Sequence, residues 1–368
     1  MQISEAIKTA RRAIEICKAC HYCNGYCIVF EAMELRRGFT AADLGYLANL
    51  CHNCRNCYYA CQYAPPHEFA INLPKSFSEV RAETYRHYAW PRLPAVFFHR
   101  NGAAVAIFAA LATAIIVTLT VALRSPKVCF APHLGLGGFY AIVPWRIMVS
   151  VAGAALGMSF VSLAVSFRRF WRDMGGGRIS NGRVGRVLST VIRDVLSLRN
   201  MGGGESHGCN DRDESFSLAR RCWHHAIFYG FLFCWASTIV ASIYDHVLSW
   251  HAPYSLLSIP VILGAGGGLC LIVGVAGLGL IKLTGDPNPV SRKMLGSDYA
   301  ALGLLLMLAG SGLAILAFRE TASMGILLAI HLGIVLSLFL LLPYSKLVHG
   351  MYRTAALLRA AMEREDFK

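Results

Sequence analysis

The chain has 368 residues, 55% of them hydrophobic and 15% charged, with a formal net charge of +14 and 13 Cys. So apolar a composition excludes an ordinary soluble protein and fits a membrane protein with a polar head. The positive charge does not argue for nucleic acid, because Arg and Lys fall mostly between apolar spans, where the positive-inside rule and anionic lipid account for them.

Met1 to Ile16 has no continuous apolar core of the kind a signal peptide needs. Ile3, Ile7, Ala10 and Ile14 recur instead at helical spacing, which predicts a short amphipathic helix packed on the cysteine-rich segment after it. That segment carries one cysteine pattern written twice: Cys17, Cys20, Cys23 and Cys27, then Cys51, Cys54, Cys57 and Cys61. Each half reads C-x2-C-x2-C-x3-C, the ferredoxin run, in which three thiolates hold one [4Fe–4S] cluster and the fourth ligates the other. The spacing therefore predicts one cluster on Cys17, Cys20, Cys23 and Cys61, and a second on Cys51, Cys54, Cys57 and Cys27. A zinc site closes with four ligands, usually as two separated pairs, and iron–sulfur thiolates imply a reducing compartment rather than a disulfide framework. In one detail the run departs from the ferredoxin pattern: Ile28 and Gln62, not Pro, come directly after the fourth cysteines, and Pro65 and Pro66 come late. The remaining Cys129, Cys209, Cys222, Cys234 and Cys270 show no spacing that suggests pairing.

Ala32 to Arg36 and Ala41 to Asn49 read as short helices that bring the two runs together, and Leu73 to Arg86 as a helix leading to the membrane. Trp90, Pro91 and Pro94 mark the boundary, with Tyr85, Tyr88 and Trp90 suited to an interfacial aromatic belt. Beyond it lie six apolar stretches, each long enough for a bilayer core of about 30 Å. They are Ala103 to Leu123, Ile147 to Phe167, Ala226 to Tyr244, Ser255 to Ile281, Tyr299 to Phe318 and Thr321 to Ser345. Gly153 and Gly157, Gly264, Gly266, Gly267 and Gly268, and Gly310 and Gly312 are expected to let these helices pack closely. The predicted division is a cluster head over residues 1–90, a six-span domain over 91–350 containing a basic loop at 168–221, and a tail at 351–368. That loop carries Arg168, Arg169, Arg172, Arg178 and further Arg, and basic residues flank the other ends on the same side. Loop charge thus places the head and both termini in the cytoplasm. Within the loop, the Gly-rich piece Met201 to Gly208 lacks the P-loop Lys and reads as flexible.

Histidines in a chain this apolar are functional candidates, because an imidazole in a bilayer needs a partner. His331 lies inside the last span and His349 is 18 residues on, which on one unbroken helix is five full turns and about 27 Å. His224 and His225 sit at the cytoplasmic entry of the third span and His246 at its far end. Matched depth suggests His349 with His224 or His225, and His331 with His246, as axial ligands of one or two b haems. His99, His133 and His251 lack such partners, while His52 and His67 are expected to shape the cluster loops.

CHNCRNCYYACQYAPPHEFAINLP (Cys51 to Pro74), RRCWHHAIFYGF (Arg220 to Phe231) and LPYSKLVHGMYR (Leu342 to Arg353) closely resemble the tricarballylate (citrate) utilization protein B family. The resemblance covers nearly the whole chain. It implies a bacterial inner-membrane iron–sulfur and haem protein that reoxidises the reduced flavin of a partner, tricarballylate dehydrogenase, and passes electrons to quinone. The last span is also similar to the haem-bearing helix of the respiratory nitrate reductase gamma subunit. Related modules serve flavoproteins of other specificity, including one in cobalamin synthesis, so the partner's substrate stays open. The resulting expectation is a mostly α oxidoreductase subunit: a two-cluster ferredoxin-type head on a six-helix bundle, with an FAD-dependent dehydrogenase, lipid and quinone as partners. No dinucleotide fingerprint is present, so the flavin belongs to another chain. A redox-sensing transporter is the competing class, but no Arg, Lys, Asp or Glu lies near the centre of a span.

Overall fold

The computed structural model describes residues 4–95, 101–177, 181–203 and 206–366. His99, Arg178 and the first residues of the expected N-terminal helix lie outside them. The described residues form helices and no strand, with one isolated bridge between Cys209 and Ser217.

The head begins with α1 (Glu5–Cys20), where the Ser4 hydroxyl accepts the Ile7 N–H, and the expected stripe of Ile7, Ala10 and Ile14 is buried. Two helices, α2 (Ile28–Glu34) and α3 (Ala41–Leu50), join the cysteine runs, and a Thr40/Asp43 capping box starts α3. A single turn, α4 (Asn56–Tyr59), lies inside the second run, and α5 (Leu73–Tyr88) leads out of the head behind an Asn72 cap. Then come α6 (Asn101–Cys129), α7 (Gly138–Ile142), α8 (Trp145–Asp173), α9 (Val184–Leu196), α10 (Ala219–His246), α11 (Ile259–Thr284), α12 (Arg292–Ala317), α13 (Met324–Leu341) and α14 (His349–Asp366). Six of these, α6, α8, α10, α11, α12 and α13, are long and apolar enough to cross a membrane, and they carry the six expected stretches.

Glycines let α10 and α11 pack backbone to backbone. A Cβ on Gly230 of α10 would lie 2.8 Å from the Gly267 carbonyl oxygen, and one on Gly267 of α11 would lie 2.7 Å from that of Gly230. The two backbones therefore touch where no side chain fits. By the same test Gly153, Gly157, Gly266 and Gly310 face open space, so these four do not make the packing contacts expected of them.

The last span does not continue to His349. Pro343 has no N–H to extend the ladder, Ser345 turns extended, and its hydroxyl caps a 3-10 turn at Lys346–Val348 before α14 begins. The five-turn register between His331 and His349 is therefore broken. Nor is the stretch after it a free tail, since α14 buries Tyr352, Ala355, Ala356 and Leu357 in one core with Ile7, Phe30, Leu44 and Phe77 of the head. Tyr85 and Tyr88 belong to that core rather than to an aromatic belt: both are buried, and Tyr85 stacks on Tyr352 with centroids 5.0 Å apart. The first and last segments of the chain thus build one domain, which also holds Phe170 at the end of α8.

Candidate metal centres

The cysteines of the two runs cross over. Cys17, Cys20, Cys23 and Cys61 line one cavity, while Cys27, Cys51, Cys54 and Cys57 line a second of about 250 Å³. The sets adjoin, because Cys57 lies near enough to Cys23, as well as to Cys51, Cys54 and Cys27, for their sulfurs to disfavour its ionisation. Local backbone explains how each run curls. Cys17 and Cys20 lie one turn apart on α1, which stops at His21 in the left-handed region (φ 56°). In the second run Asn53 (φ 59°) and Arg55 (φ 71°) adopt the same region, which for residues other than glycine is costly and marks a constrained loop.

The two fourth cysteines are treated alike. Cys27 receives backbone N–H groups from Val29 and Phe30, and Cys61 from Tyr63 and Ala64. Hydrogen bonds to sulfur are among the features that set a cluster's potential. Burial, then neighbouring sulfurs, push Cys17 and Cys27 up to about 12 and Cys23 up to about 11. Without a bound cation these side chains are neutral thiols at pH 7, and a coordinating metal is what deprotonates such a group outright. Among the described residues no three His, Cys, Asp or Glu converge closely enough for a single ion. Four thiols spread round a cavity instead suit a multi-iron cluster, whose own atoms keep its ligands apart.

The basic loop covers the second run. Asn210 N–H donates to the Cys54 carbonyl at 2.9 Å, Asn56 Nδ2 to Gly208 O at 3.1 Å, and Arg55 Nη1 to Asp211 O at 2.8 Å. Arg220 donates to the Asn53 carbonyl and pairs with Asp211. The described ends of the Gly-rich piece pack closely on each other: a Cβ on Gly203 (φ +73°) would collide with the Gly208 carbonyl oxygen. Cys209 is buried within charge reach of Cys54, a placement that no sequence spacing signals.

Of the histidines, His224 and His349 meet, with ring centroids 6.1 Å apart and planes at 64°. His349 Nδ1 bonds to the Lys346 carbonyl at 2.7 Å, which leaves Nε2 free to bind a metal, the usual arrangement of a ligating imidazole. His224 Nδ1 is buried and has no partner. Burial, Arg353, His224 and Lys346 hold His349 down to about 3, so it is neutral and able to coordinate. These two residues fit the axial positions of a haem. His225 is turned to Tyr229 of its own helix, centroids 5.9 Å apart, so of the two candidates it is His224 whose ring meets His349.

The outer pair is not brought together. His331 Nδ1 lies 2.9 Å from Ser311 Oγ, and a Cβ on Gly312 would sit 3.3 Å from its ring. His246, its side chain 42% exposed, packs on Trp145 and lies 3.5 Å from Asp245. Elsewhere His133 reaches the Val128 carbonyl at 2.8 Å and His251 reaches Asp245 at 2.7 Å. As expected, His52 and His67 brace the cluster loops, His52 Nδ1 bonding the Leu50 carbonyl at 2.7 Å and His67 Nδ1 accepting the Phe69 N–H at 3.1 Å.

A family model described as citrate utilization protein B matches residues 99–367, and one described as the citrate utilization protein B Fer4-like domain matches residues 10–87. The curated citrate utilization protein B of Escherichia coli is 42% identical over 368 residues, covering 100% of this chain and 95% of that protein. The chain belongs to the citrate utilization protein B family. No solved structure matches it. Within the family pattern, the Fer4-like region holds all eight cysteines of the two runs, and six membrane-length helices make this a multi-pass membrane protein. The first match, through residue 367, takes in α14, although that helix is packed in the head.

Proposed function

We propose that the protein is a membrane electron wire, oxidising the reduced flavin of a separate FAD-dependent dehydrogenase and reducing quinone. Two [4Fe–4S] clusters and one haem b supply the one-electron steps, as such centres do when bound. The observation that carries this reading is the continuity of the candidate ligands. The first cysteine set adjoins the second through Cys23 and Cys57, and Arg353 faces both Cys51 of the second set and the imidazole of His349. His224 places the far end of this line on α10, at the head end of the spans.

The chain's own residues do the positioning. Crossed cysteines tie the two halves of the head into one unit, and the loop bonds from Asn210 and Arg220 cover the second set from outside. The resemblance supports tricarballylate dehydrogenase as the flavoprotein, and the positive-inside rule supports a cytoplasmic head in the bacterial inner membrane. The basic loop would speed the approach of an acidic partner surface.

The test is flavin reoxidation. Reduced partner dehydrogenase should pass electrons to a quinone only when this protein is present in the membrane, and membranes lacking it should leave the flavin reduced. Full turnover of the purified partner with quinone alone would refute the role.

A further inference from the structure

Around the His224–His349 pair there is more positive charge than the neighbouring carboxylates answer. Arg353 lies one turn beyond His349 on α14, so the two share a helix face. Arg353 Nε is buried without a hydrogen-bond partner, and so are Tyr85 Oη, which faces Arg353, and His224 Nδ1. From α5, Arg81 reaches the same region, its guanidinium donating to the carbonyls of Ala48 at 2.9 Å and Cys51 at 3.1 Å and to Ser78 Oγ at 2.8 Å. Lys346 and Lys282 share one carboxylate, Asp298, at 3.1 and 2.6 Å. Arg220 has Asp211. Among the described residues, no carboxylate forms an ion pair with Arg81 or Arg353. Arg81 and Arg220 face Arg353 from α5 and α10, adding like charge rather than answering it. Buried cations are ordinarily paired, and an unpaired one is costly.

We propose that this cationic collar is a carboxylate-binding site, that its occupant is the pair of propionate side chains of a haem held by His224 and His349, and that Arg353 is the group that receives them. The inference rests on the haem reading of that pair. Three features select this occupant. The orphaned polar atoms lie beside the imidazole pair. The cations converge on the pair from several elements: Arg353 and Lys346 face His349, Arg353 and Arg220 face His224, and Arg81 of α5 faces Arg353. Lys346 also supplies the carbonyl that orients His349, which ties the collar to the ligand geometry. A guanidinium matches a carboxylate with two parallel N–H donors, which suits Arg353 to this role better than a lysine. The other anion at hand would be an iron–sulfur cluster on Cys51, which Arg353 also faces.

The test separates these. Full-length protein made in haem-deficient cells and purified in detergent is titrated with haemin and with haemin dimethyl ester, for the parent, Arg353→Leu and Arg353→Lys. The parent should bind haemin about tenfold or more tightly than the ester, the order expected for one charge-assisted hydrogen bond. In Arg353→Leu the ratio should collapse towards one, with Arg353→Lys between. Equal binding of haemin and ester by the parent, or a ratio unchanged in Arg353→Leu, would overturn the proposal and assign the collar to the cluster. Should Arg353→Leu lose its cluster absorbance and so fail to fold, the parent ratio and Arg353→Lys decide. Binding of neither compound by the parent would instead defeat the haem reading itself.

Discussion

Glu363, near the end of the chain, is 8% exposed and anchors α14 to the head. Its Oε1 accepts from Arg36 Nη2 at 2.8 Å and Arg359 Nε at 3.0 Å, and its Oε2 accepts from the hydroxyl of the fully buried Tyr46 at 2.9 Å. Changing Glu363 to Ala takes away that hydroxyl's acceptor and leaves Asp43, at 3.0 Å, as the carboxylate still paired with Arg36 among the described residues. Breaking a buried pair by removing one partner costs about 3–5 kcal/mol, and since Asp43 remains we take the lower end, about 3 kcal/mol. A domain of about 100 residues loses about 4–8 °C of Tm per kcal/mol, so the head should melt about 12 °C or more below the parent. The assay is the bleaching of the clusters' visible absorbance on anaerobic heating, with Glu363→Gln, which keeps a carbonyl for Tyr46, falling between. A Glu363→Ala midpoint within about 2 °C of the parent would refute the placement of α14 in the head, on the same scale.

Pyridine haemochrome assays should find one haem per chain, lost in His349→Ala and in His224→Ala but kept in His225→Ala; loss in His225→Ala alone would reverse the assignment. His246→Ala should leave the haem content unchanged, and two haems in the parent with one lost in this variant would restore the outer pair. Gly267→Leu should sharply lower the yield of folded protein in membranes, because overpacking costs at least about 1–3 kcal/mol and here the obstruction is backbone. Gly266→Leu, facing open space, should be tolerated, and equal loss in both would contradict the packing of α10 on α11.

The features legible in the sequence are local. A C-x2-C-x2-C run folds over a few residues, so the spacing shows which three sulfurs of each run lie together, while the exchanged fourth cysteine follows from the ferredoxin pattern; the six spans are set by length and apolarity. Where sequence and structure part, the cause is tertiary. Tyr85 and Tyr88 look like interfacial aromatics until α14 is folded back on them, and nothing in Ala355, Ala356 or Ala360 advertises a core helix in what reads as a tail. The His331 to His349 register requires a helix running past Pro343, although the Pro-Tyr-Ser sequence that ends it is visible. His224 and His225 differ by only about 100° of rotation on one helix. The choice between them needs the position of His349, which a broken helix places independently. Met201 to Gly208 shows no sign in its own sequence of the contacts that Gly203 and Gly208 make with Asn56 and Ser217, which lie outside it.

The central claim is that the two runs exchange their fourth cysteines and so hold two adjoining clusters. Iron analysis and EPR of the anaerobically purified, dithionite-reduced protein, parent beside Cys61→Ala, test it most directly. About eight cluster iron atoms are expected in the parent, two four-iron clusters being implied by the paired runs. In Cys61→Ala the cluster on Cys17, Cys20 and Cys23 should be lost or converted while the one on Cys51, Cys54, Cys57 and Cys27 keeps its signal. Zinc in place of iron, or equal loss of both signals in Cys61→Ala, would contradict the account.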